Sequence, residues 1–177
     1  MEEGRQGLWG KTKKGFKYVY DHHFSDFDWF LKADDDTFVI IENLKNLLVD
    51  YDSDSPIHFG HHFKYLGGYF AGGAGYVLGR EALKRFVVNG INNASICHQG
   101  DNGDEDVNLG EKLTLKLGKV AAHFISGACM RRLNVTHGDS RDEKKLKRFF
   151  PFEIKDHIIP SEYYLDIIKL NPFVRVW

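Results

Sequence analysis

The sequence has few cysteines, little proline and no long apolar run, and each scarcity excludes a class of protein. Its 177 residues include two Cys and four Pro, too few for a disulfide-dense secreted scaffold or a proline-rich linker. No stretch of 18 or more apolar residues occurs, so we expect no membrane-spanning segment within it. Residues 1–5 lack the apolar core of a signal peptide.

An excess of charge of one sign is also lacking. Lys and Arg number 24 and Asp and Glu number 25, so the net charge is -1. This balance argues against a nucleic-acid partner bound through a broad basic surface. Hydrophobic residues make up 42% of the chain and aromatic residues 14%, which is enough to bury a sizeable core. We therefore expect one folded domain and no nucleic-acid partner.

Short apolar runs alternate with helical patterns. Residues 28–33 predict a buried strand that ends in acids, and residues 56–60 predict a second strand. Apolar residues at helical spacing predict helices over the second half of residues 4–23, over residues 42–49 and over residues 80–88. This alternation favours an α/β layer fold.

Three adjacent carboxylates, Asp34, Asp35 and Asp36, directly follow the first predicted strand. Adjacent carboxylates repel one another, and a hard divalent cation bound through oxygen ligands is their natural partner. The strand end of an open α/β sheet is also where ligands commonly bind. The triplet therefore predicts a metal that bridges to a diphosphate, with a solvated acidic turn as the alternative.

Other metal and cofactor motifs fail on spacing. Phe38 stands where a dehalogenase-type phosphatase needs Thr or Val, and Ser55 stands where an EF-hand loop needs Gly. Leu78 stands where a dinucleotide-binding fingerprint needs its third glycine. The histidine pairs at 22–23 and 61–62 are interpreted as polar surface or loop, because adjacent side chains point in different directions.

A second acidic group occupies residues 104–106. One carboxylate there could act as a general base on an attacking hydroxyl. The same acids equally suit a helix N-terminus, where they complement the helix dipole. Spacing does not choose between these two roles.

Two further features raise the odds of a lumenal or extracellular setting. Asn93 and Asn134 each begin an N-glycosylation acceptor pattern. Cys97 and Cys129 are available for a single disulfide. Each feature alone is a common accident.

Several motifs stand in the order of a known family. They are residues 8–12 (LWGKT), 28–39 (DWFLKADDDTFV), 72–78 (GGAGYVL), 105–107 (EDV) and 138–142 (GDSRD). The ordered set resembles the core 1 β1,3-galactosyltransferases of glycosyltransferase family 31, over most of the chain from Glu3 to about Ile159.

The resemblance implies a GT-A fold and a Mn²⁺-dependent, inverting transfer of galactose. The donor would be UDP-galactose, and the acceptor the 3-hydroxyl of GalNAc on Ser or Thr of glycoproteins. Asp34 and Asp36 would be metal ligands, and Asp106 would be the catalytic base. Donor and acceptor contacts would come from Lys11, Asp35, Gly72, Gly73, Ala74, Gly75, Tyr76 and Glu105.

The resemblance also implies a disulfide between Cys97 and Cys129 and a place in the Golgi lumen. Full-length members resemble type II membrane proteins that tend to dimerise. In the family, an anchor, a stem and the first nucleotide-binding strands precede the region that corresponds to Trp9, and on this resemblance we expect them to be missing from the sequence. We therefore expect a GT-A-like α/β fold over residues 1–160 that is incomplete at its N-terminus.

Two stretches depart from the family pattern. Residues 111–127 separate the Glu-Asp-Val motif from Cys129. In the family, the corresponding cysteine follows this motif almost directly. Codons for the residues at the two ends of this stretch can contain sequences that resemble splice sites. A retained intron is therefore one interpretation, and a genuine surface loop or helix is the other. Residues 161–177 form a divergent tail where the family carries a His that resembles the third metal ligand. His157 is in a different context, so we expect an incomplete metal site.

Three functions remain open at this point. The first is core 1 galactosyl transfer, and the second is a catalytically impaired fragment or chaperone-like relative that acts as a binding partner. The third is another β1,3-hexosyltransferase. Retention of the acidic triplet and of Asp106 favours enzyme ancestry.

Overall fold

The computed structural model describes residues 7–63, 69–101, 129–152 and 155. Its α-helices are α1 (Leu8–His23), α2 (Ile41–Leu48), α3 (Arg80–Lys84) and α4 (Cys129–Arg132). A 3₁₀ turn (Gly72–Ala74) precedes β5, and a π-helical turn (Arg85–Gly90) continues α3. The strands are β1 (Trp29–Lys32), β2 (Ile57–Gly60), β3 (His62–Phe63), β4 (Tyr69–Phe70), β5 (Tyr76–Gly79) and β6 (Thr136–His137).

A four-stranded sheet in the order β1-β5-β2-β6 organises the described residues. β5 is antiparallel to both β1 and β2, and β6 is parallel to β2. β1, β2 and β6 therefore run in the same direction. The short β3 and β4 form a separate antiparallel pair. The predicted α/β class is confirmed, with a mixed sheet.

The predicted elements lie close to where the patterns put them. β1 and β2 fall within the ranges predicted for them, and α2 begins at Ile41, just before its predicted range, and ends at Leu48. α1 begins at Leu8, earlier than predicted, because Trp9 in its first turn is fully buried and packs with Phe86 at 5.9 Å between ring centroids. The helix predicted over residues 80–88 changes its hydrogen-bond pattern at Arg85.

The prediction that residues 28–33 form a buried strand is wrong for most of its side chains. Only Phe30 in β1 is buried, and Leu31 is 37% exposed. β1 lies at the edge of the described sheet and pairs with β5. Because side chains alternate between the two faces of a strand, Phe30 packs into the main core on one face, and Trp29 on the other face is half-buried against Phe59.

The main core lies between α1, α3 and the sheet. Phe16 of α1 packs edge-on against Phe86 at 5.9 Å and lies 6.2 Å from the ring of Tyr76. Cys97 and Cys129 are joined by a disulfide in this core, as the family resemblance implied. A Cβ on Gly90 would come within 2.9 Å of the Cys97 Sγ, so the bond is packed against backbone.

Residues outside the described ranges include several predicted features. They are Asp104, Glu105 and Asp106, the stretch 111–127, His157 and the tail 161–177. Among the described helices, none is long and apolar enough to cross a membrane.

Candidate functional site

Four strand ends meet at one edge of the sheet. Lys32 at the end of β1 and Gly60 at the end of β2 both lie opposite Tyr76 at the start of β5. His137 at the end of β6 pairs with His58 of β2. The segments that continue from these ends are the acidic turn (Asp34–Asp36), the glycine-rich segment (Gly72–Tyr76) and the β6 loop (Gly138–Asp142). The topology thus gathers three sequence motifs at one edge.

The acidic turn is closed by Thr37. The backbone N–H of Thr37 donates to the Asp34 carbonyl at 3.1 Å, and the N–H of Asp34 donates to Thr37 Oγ1 at 3.0 Å. Thr37 Oγ1 in turn donates to the Gly73 carbonyl at 3.1 Å. One hydroxyl therefore ties the acidic turn to the glycine-rich segment.

Gly75 allows the glycine-rich segment to lie against β1. Its φ is 71°, a backbone conformation that residues with a side chain rarely adopt. A Cβ at this position would come within 3.1 Å of the Lys32 carbonyl oxygen. Glycine is required at Gly75, because both the backbone conformation and the close approach of β1 exclude a side chain.

Within the glycine-rich segment only Gly73 is exposed. Tyr76 is fully buried, with its ring against Phe16. The Tyr76 side chain therefore belongs to the core, and its assignment to the donor and acceptor contacts stays a prediction. The same segment contains three further buried residues, Gly72, Ala74 and Gly75, which therefore lie beneath the exposed surface.

The three carboxylates of the acidic turn are in different surroundings. Lys32 Nζ donates to Asp34 Oδ1 at 2.7 Å, and the side chains of the pair are 18% and 39% exposed. Asp35 and Asp36 are exposed, and neither forms an ion pair with another described residue. Two carboxylates are thus exposed without a counter-charge from the part of the chain that the structure describes.

The chemistry of the acidic turn fits a hard divalent cation. Its donors are carboxylate oxygens, the ligands that Mn²⁺ and Mg²⁺ prefer, and a cationic ammonium already lies on Asp34. Within the described ranges, no group of three or more His, Cys, Asp or Glu side chains is arranged to hold a metal ion. The described part of the chain therefore supplies only part of a ligand set.

The β6 loop is locked to β2 by backbone contacts. The N–H of Gly138 donates to the His58 carbonyl at 2.8 Å, and the N–H of Gly60 donates to Ser140 Oγ at 3.0 Å. A Cβ on Gly138 would overlap the ring of Phe59, which is fully buried. These contacts therefore fix the position of the β6 loop relative to β2.

Asp139 in the β6 loop is held by Arg141. The guanidinium donates through Nε to Oδ1 at 2.8 Å and through Nη2 to Oδ2 at 2.7 Å. These hydrogen bonds hold the pKa of the Asp139 carboxyl well below its usual range. The pair is ionised at neutral pH and stiffens the loop.

Histidines cluster behind the same edge. Burial lowers the pKa of His58 to about 3, with His137 and His62 adding to the effect. The rings of His62 and His137 are stacked at 4.5 Å with only 10° between their planes. Parallel stacked rings cannot both direct in-plane lone pairs at one ion, so this pair does not form a metal site.

The interpretation of residues 61–62 as polar surface or loop is wrong for His62, whereas His61 does lie in a loop position between β2 and β3, although it is buried. His61 is buried and its Nδ1 lies 2.8 Å from the Phe149 carbonyl, while His62 begins β3. Both follow β2 directly, so the sheet edge encloses them. The same interpretation is confirmed for His22 and His23, which are exposed on α1.

The other predicted site residues lie elsewhere. Lys11 is exposed on α1, and neither a hydrogen bond nor an ion pair joins it to another described residue. Asn93 and Asn134 are both exposed. Glu105 and Asp106 lie outside the described ranges. The structure thus brings together the acidic turn and the glycine-rich segment, but not Lys11.

Sequence reasoning missed Lys32, Thr37 and Ser140, which organise the edge. Lys32 and Thr37 flank the acidic turn. A lysine two residues before a carboxylate cluster is a sequence pattern that could have predicted an ion pair with the cluster. Ser140 has no such signal, because its partner Gly60 is distant in sequence.

Comparisons with known proteins bear on what this edge does. A family model described as "Fringe-like" matches residues 4–126. The chain is 41% identical over 158 residues to glycoprotein-N-acetylgalactosamine 3-beta-galactosyltransferase 1 of Xenopus laevis, a match that covers 88% of this chain and 38% of the relative. It is 34% identical over 107 residues to beta-1,3-glucosyltransferase of Mus musculus, covering 58% of this chain and 21% of the relative. It is 31% identical over 90 residues to chondroitin sulfate synthase 3 of Homo sapiens, covering 42% and 10%.

Proposed function

Because this chain belongs to the Fringe-like family of glycosyltransferases, we propose that it forms part of a GT-A-like catalytic domain. The domain transfers galactose from UDP-galactose in β1,3 linkage to GalNAc-α-Ser/Thr of glycoproteins. The similarity to the Xenopus 3-beta-galactosyltransferase supports this choice of donor and acceptor. The observation that carries the proposal is the meeting of the acidic turn, the glycine-rich segment and the β6 loop at one sheet edge.

Asp34 and Asp36 are the proposed ligands of Mn²⁺. When bound, the cation would offset the negative charge on the departing diphosphate. Thr37 holds the backbone of the turn, through its contacts with Asp34 and Gly73. Asp35, Glu105 and Lys11 are proposed as donor or acceptor contacts, and Gly73 is the exposed point of the glycine-rich segment.

Asp106 is the proposed general base. It accepts the proton of the acceptor 3-hydroxyl while that oxygen attacks the anomeric carbon of the donor. The new carbon–oxygen bond forms as the bond to the diphosphate breaks, so a single displacement inverts the configuration. The proton goes to Asp106, and UDP leaves with the bonding electrons.

The described residues on both sides of the stretch that carries Asp106 are anchored to the rest of the fold. On one side, the Lys13 ammonium lies 3.3 Å from the Asp101 carboxylate, and the N–H of Gly10 donates to the Asp101 carbonyl at 3.0 Å. On the other side, the disulfide fixes Cys129 to Cys97. Asp106 follows Asp101 by only five positions.

Transfer of another hexose in β1,3 linkage is the second candidate. The similarity to the mouse beta-1,3-glucosyltransferase favours it specifically. A catalytically impaired fragment or chaperone-like binding partner is the third outcome. The assay below distinguishes all three.

The proposed setting is the Golgi lumen, in a full-length membrane-anchored protein that forms a homodimer. The disulfide is consistent with an oxidising compartment. Exposure of Asn93 and Asn134 leaves both acceptor patterns accessible to N-glycosylation.

The test is a radiolabelled transfer assay with the chain produced in an oxidising compartment. UDP-galactose and UDP-glucose are compared on a GalNAc-α-peptide and on the unglycosylated peptide, with and without Mn²⁺. We expect galactose transfer to the GalNAc-peptide only. Glucose transfer selects the second candidate, and absence of transfer by folded protein selects the third.

Asp106→Asn separates the base from the metal site. We expect it to lower kcat roughly 10²–10⁴-fold, the usual effect of losing a general base, while Mn²⁺-dependent UDP binding measured by calorimetry stays unchanged. Loss of UDP binding in this variant would instead place Asp106 among the metal ligands.

A further inference from the structure

Lys147 is a half-buried lysine a few residues beyond the β6 loop. Among the described residues, none forms a hydrogen bond or an ion pair with its ammonium. Partial removal from water lowers the pKa of this ammonium to about 8. Withdrawing a cation from water without a partner costs free energy, so the site favours an anion beside Lys147.

The chain around Lys147 carries an excess of positive charge. Residues 139–148 contain five cationic side chains and three carboxylates. Each of the three carboxylates already accepts a hydrogen bond from another group in this range. The pairs are Asp139 with Arg141 at 2.7 Å, Glu143 with Arg148 at 3.4 Å, and Asp142 with the Leu146 N–H at 2.7 Å. None of these carboxylates therefore compensates Lys147.

The backbone on both sides of Lys147 is fixed. Arg141 and Lys147 form an isolated antiparallel bridge, which closes the turn between them. Two residues after Lys147, the Phe149 carbonyl lies 2.8 Å from His61 Nδ1. The Phe149 side chain packs against the small cluster that contains Ala74 of the glycine-rich segment. Lys147 is therefore held between the β6 loop and the glycine-rich segment.

The sheet order separates the β6 loop from the acidic turn. The acidic turn follows β1 and the β6 loop follows β6, which are the two outer strands of the described sheet. Neighbouring strands lie about 4.8 Å apart, so three strand spacings place the two loops about 14 Å apart. A diphosphate held at the acidic turn is too short to span that distance. A peptide that carries the acceptor sugar crosses it in about four extended residues.

We propose that Lys147 is a specificity-determining residue that binds a carboxylate of the acceptor peptide, so that acceptor sites flanked by Asp or Glu are preferred. An ammonium is a compact point charge with three donors, and carboxylate oxygens are its strongest acceptors in a peptide. This proposal rests on the proposed function, which supplies a glycoprotein acceptor. A lysine that only covers apolar surface with its methylene chain leaves peptide preference unchanged.

The experiment measures the binding of two labelled GalNAc-α-peptides to the full chain by fluorescence anisotropy at neutral pH. The peptides differ only in the residues beside the GalNAc-bearing Thr, which are Glu in one peptide and Gln in the other. We expect the wild type to bind the Glu peptide about tenfold more tightly, the usual effect of a hydrogen bond to a charged group. Lys147→Met should abolish this ratio of affinities. Lys147→Arg should keep it within about threefold, because a guanidinium also binds carboxylates.

Lys144→Met is the matched control. Lys144 lies in the same turn, is exposed, and forms no hydrogen bond or ion pair with a described residue. We expect this variant to keep the ratio of affinities within about twofold, because an exposed charge contributes little. Thermal unfolding of each variant verifies that the fold is retained.

The pH dependence gives a second readout. The pKa of Lys147 is about 8, so between about pH 7 and pH 9.5 the free wild type loses the charge that attracts the Glu peptide. Its ratio of affinities should therefore fall towards one. Lys147→Arg should keep its ratio over the same range, because the guanidinium stays charged.

Several outcomes overturn the proposal. Equal affinity of the wild type for the two peptides does so, as does an equal loss of the ratio in Lys144→Met. Weaker UDP binding by Lys147→Met with an unchanged peptide ratio also does so, because Lys147 then contacts the donor. A wild type that binds neither peptide overturns it as well.

Galactose transfer is measured separately on the wild type, which keeps the two proposals distinguishable. Transfer to both peptides without a difference in affinity leaves the proposed function standing and removes the role of Lys147. A ratio of affinities that depends on Lys147, found without transfer, leaves the role of Lys147 standing.

Discussion

Thr37 Oγ1 donates a hydrogen bond to the Gly73 carbonyl at 3.1 Å while it accepts one from the N–H of Asp34 at 3.0 Å. This hydroxyl connects two motifs that are separated by more than thirty positions in the sequence. It links the charged acidic turn to the glycine-rich segment. The geometry of the acidic turn therefore depends on a residue that is itself neutral.

Thr37→Val tests this connection. Valine keeps the branched shape of threonine, but its side chain cannot accept from the Asp34 N–H or donate to the Gly73 carbonyl; the backbone hydrogen bond from residue 37 to the Asp34 carbonyl remains. We expect a loss of about 1 kcal/mol in the free energy of unfolding, the usual net contribution of a part-buried hydrogen bond, and weaker Mn²⁺-dependent UDP binding. Urea unfolding and calorimetry measure the two effects. Thr37→Ser keeps the hydroxyl, so equal losses in both variants would show that the bond is unimportant.

Gly75 and Gly73 of the glycine-rich segment offer a matched pair, the first buried and the second exposed. Gly75 has a φ of 71°, and its Cβ would lie 3.1 Å from the Lys32 carbonyl. Gly75→Ala should therefore cost about 1–3 kcal/mol of stability through backbone strain. Gly73→Ala should be nearly neutral, since its Cβ would meet only the Pro151 carbonyl at 3.7 Å. Urea midpoints that shift equally for both variants would contradict this argument.

Stability should fall as the pH falls from about 6.5 towards 3. The pKa of His58 is about 3 in the folded chain, below the ordinary value of 6.5, mainly because the ring is buried. Below pH 6.5 the unfolded chain therefore binds a proton that the folded chain does not. Between about pH 7.5 and pH 5 this single group removes about 2 kcal/mol.

His58→Leu isolates the contribution of this ring. The variant should lose this part of the pH dependence, measured as the change in unfolding free energy between the same two pH values. His62 and His137 face the same ring and remain in the variant. An undiminished pH slope in His58→Leu would assign the effect to them.

The disulfide should contribute substantially to stability. Cys97 and Cys129 are separated by 32 positions, and cross-linking a loop of that size typically contributes about 2–4 kcal/mol. Cys97→Ser/Cys129→Ser should lower the unfolding free energy by that amount. Reducing agent should lower the stability of the wild type but leave the double variant unchanged. A wild type indifferent to reductant would refute the prediction.

Local patterns determined the elements and the family. The apolar spacing of Leu44, Leu47 and Leu48 predicted α2, and β-type runs predicted β1 and β2, because helix and strand periods are properties of neighbouring residues. The ordered motifs identified the glycosyltransferase family, which the Fringe-like match confirms. The acidic triplet and the glycine-rich segment are both recognisable from the sequence alone.

Tertiary structure decided everything that depends on pairing between distant residues. The antiparallel entry of β5 between β1 and β2 places Lys32, Gly60 and Tyr76 side by side, and no local pattern encodes that order. It also placed the side chains of Tyr76 and His61 in the interior. It also gave Asp34 and Asp36 different surroundings, although their sequence pattern treats them alike. The sequence by itself supplied the charges, and the sheet decided which of them is already neutralised.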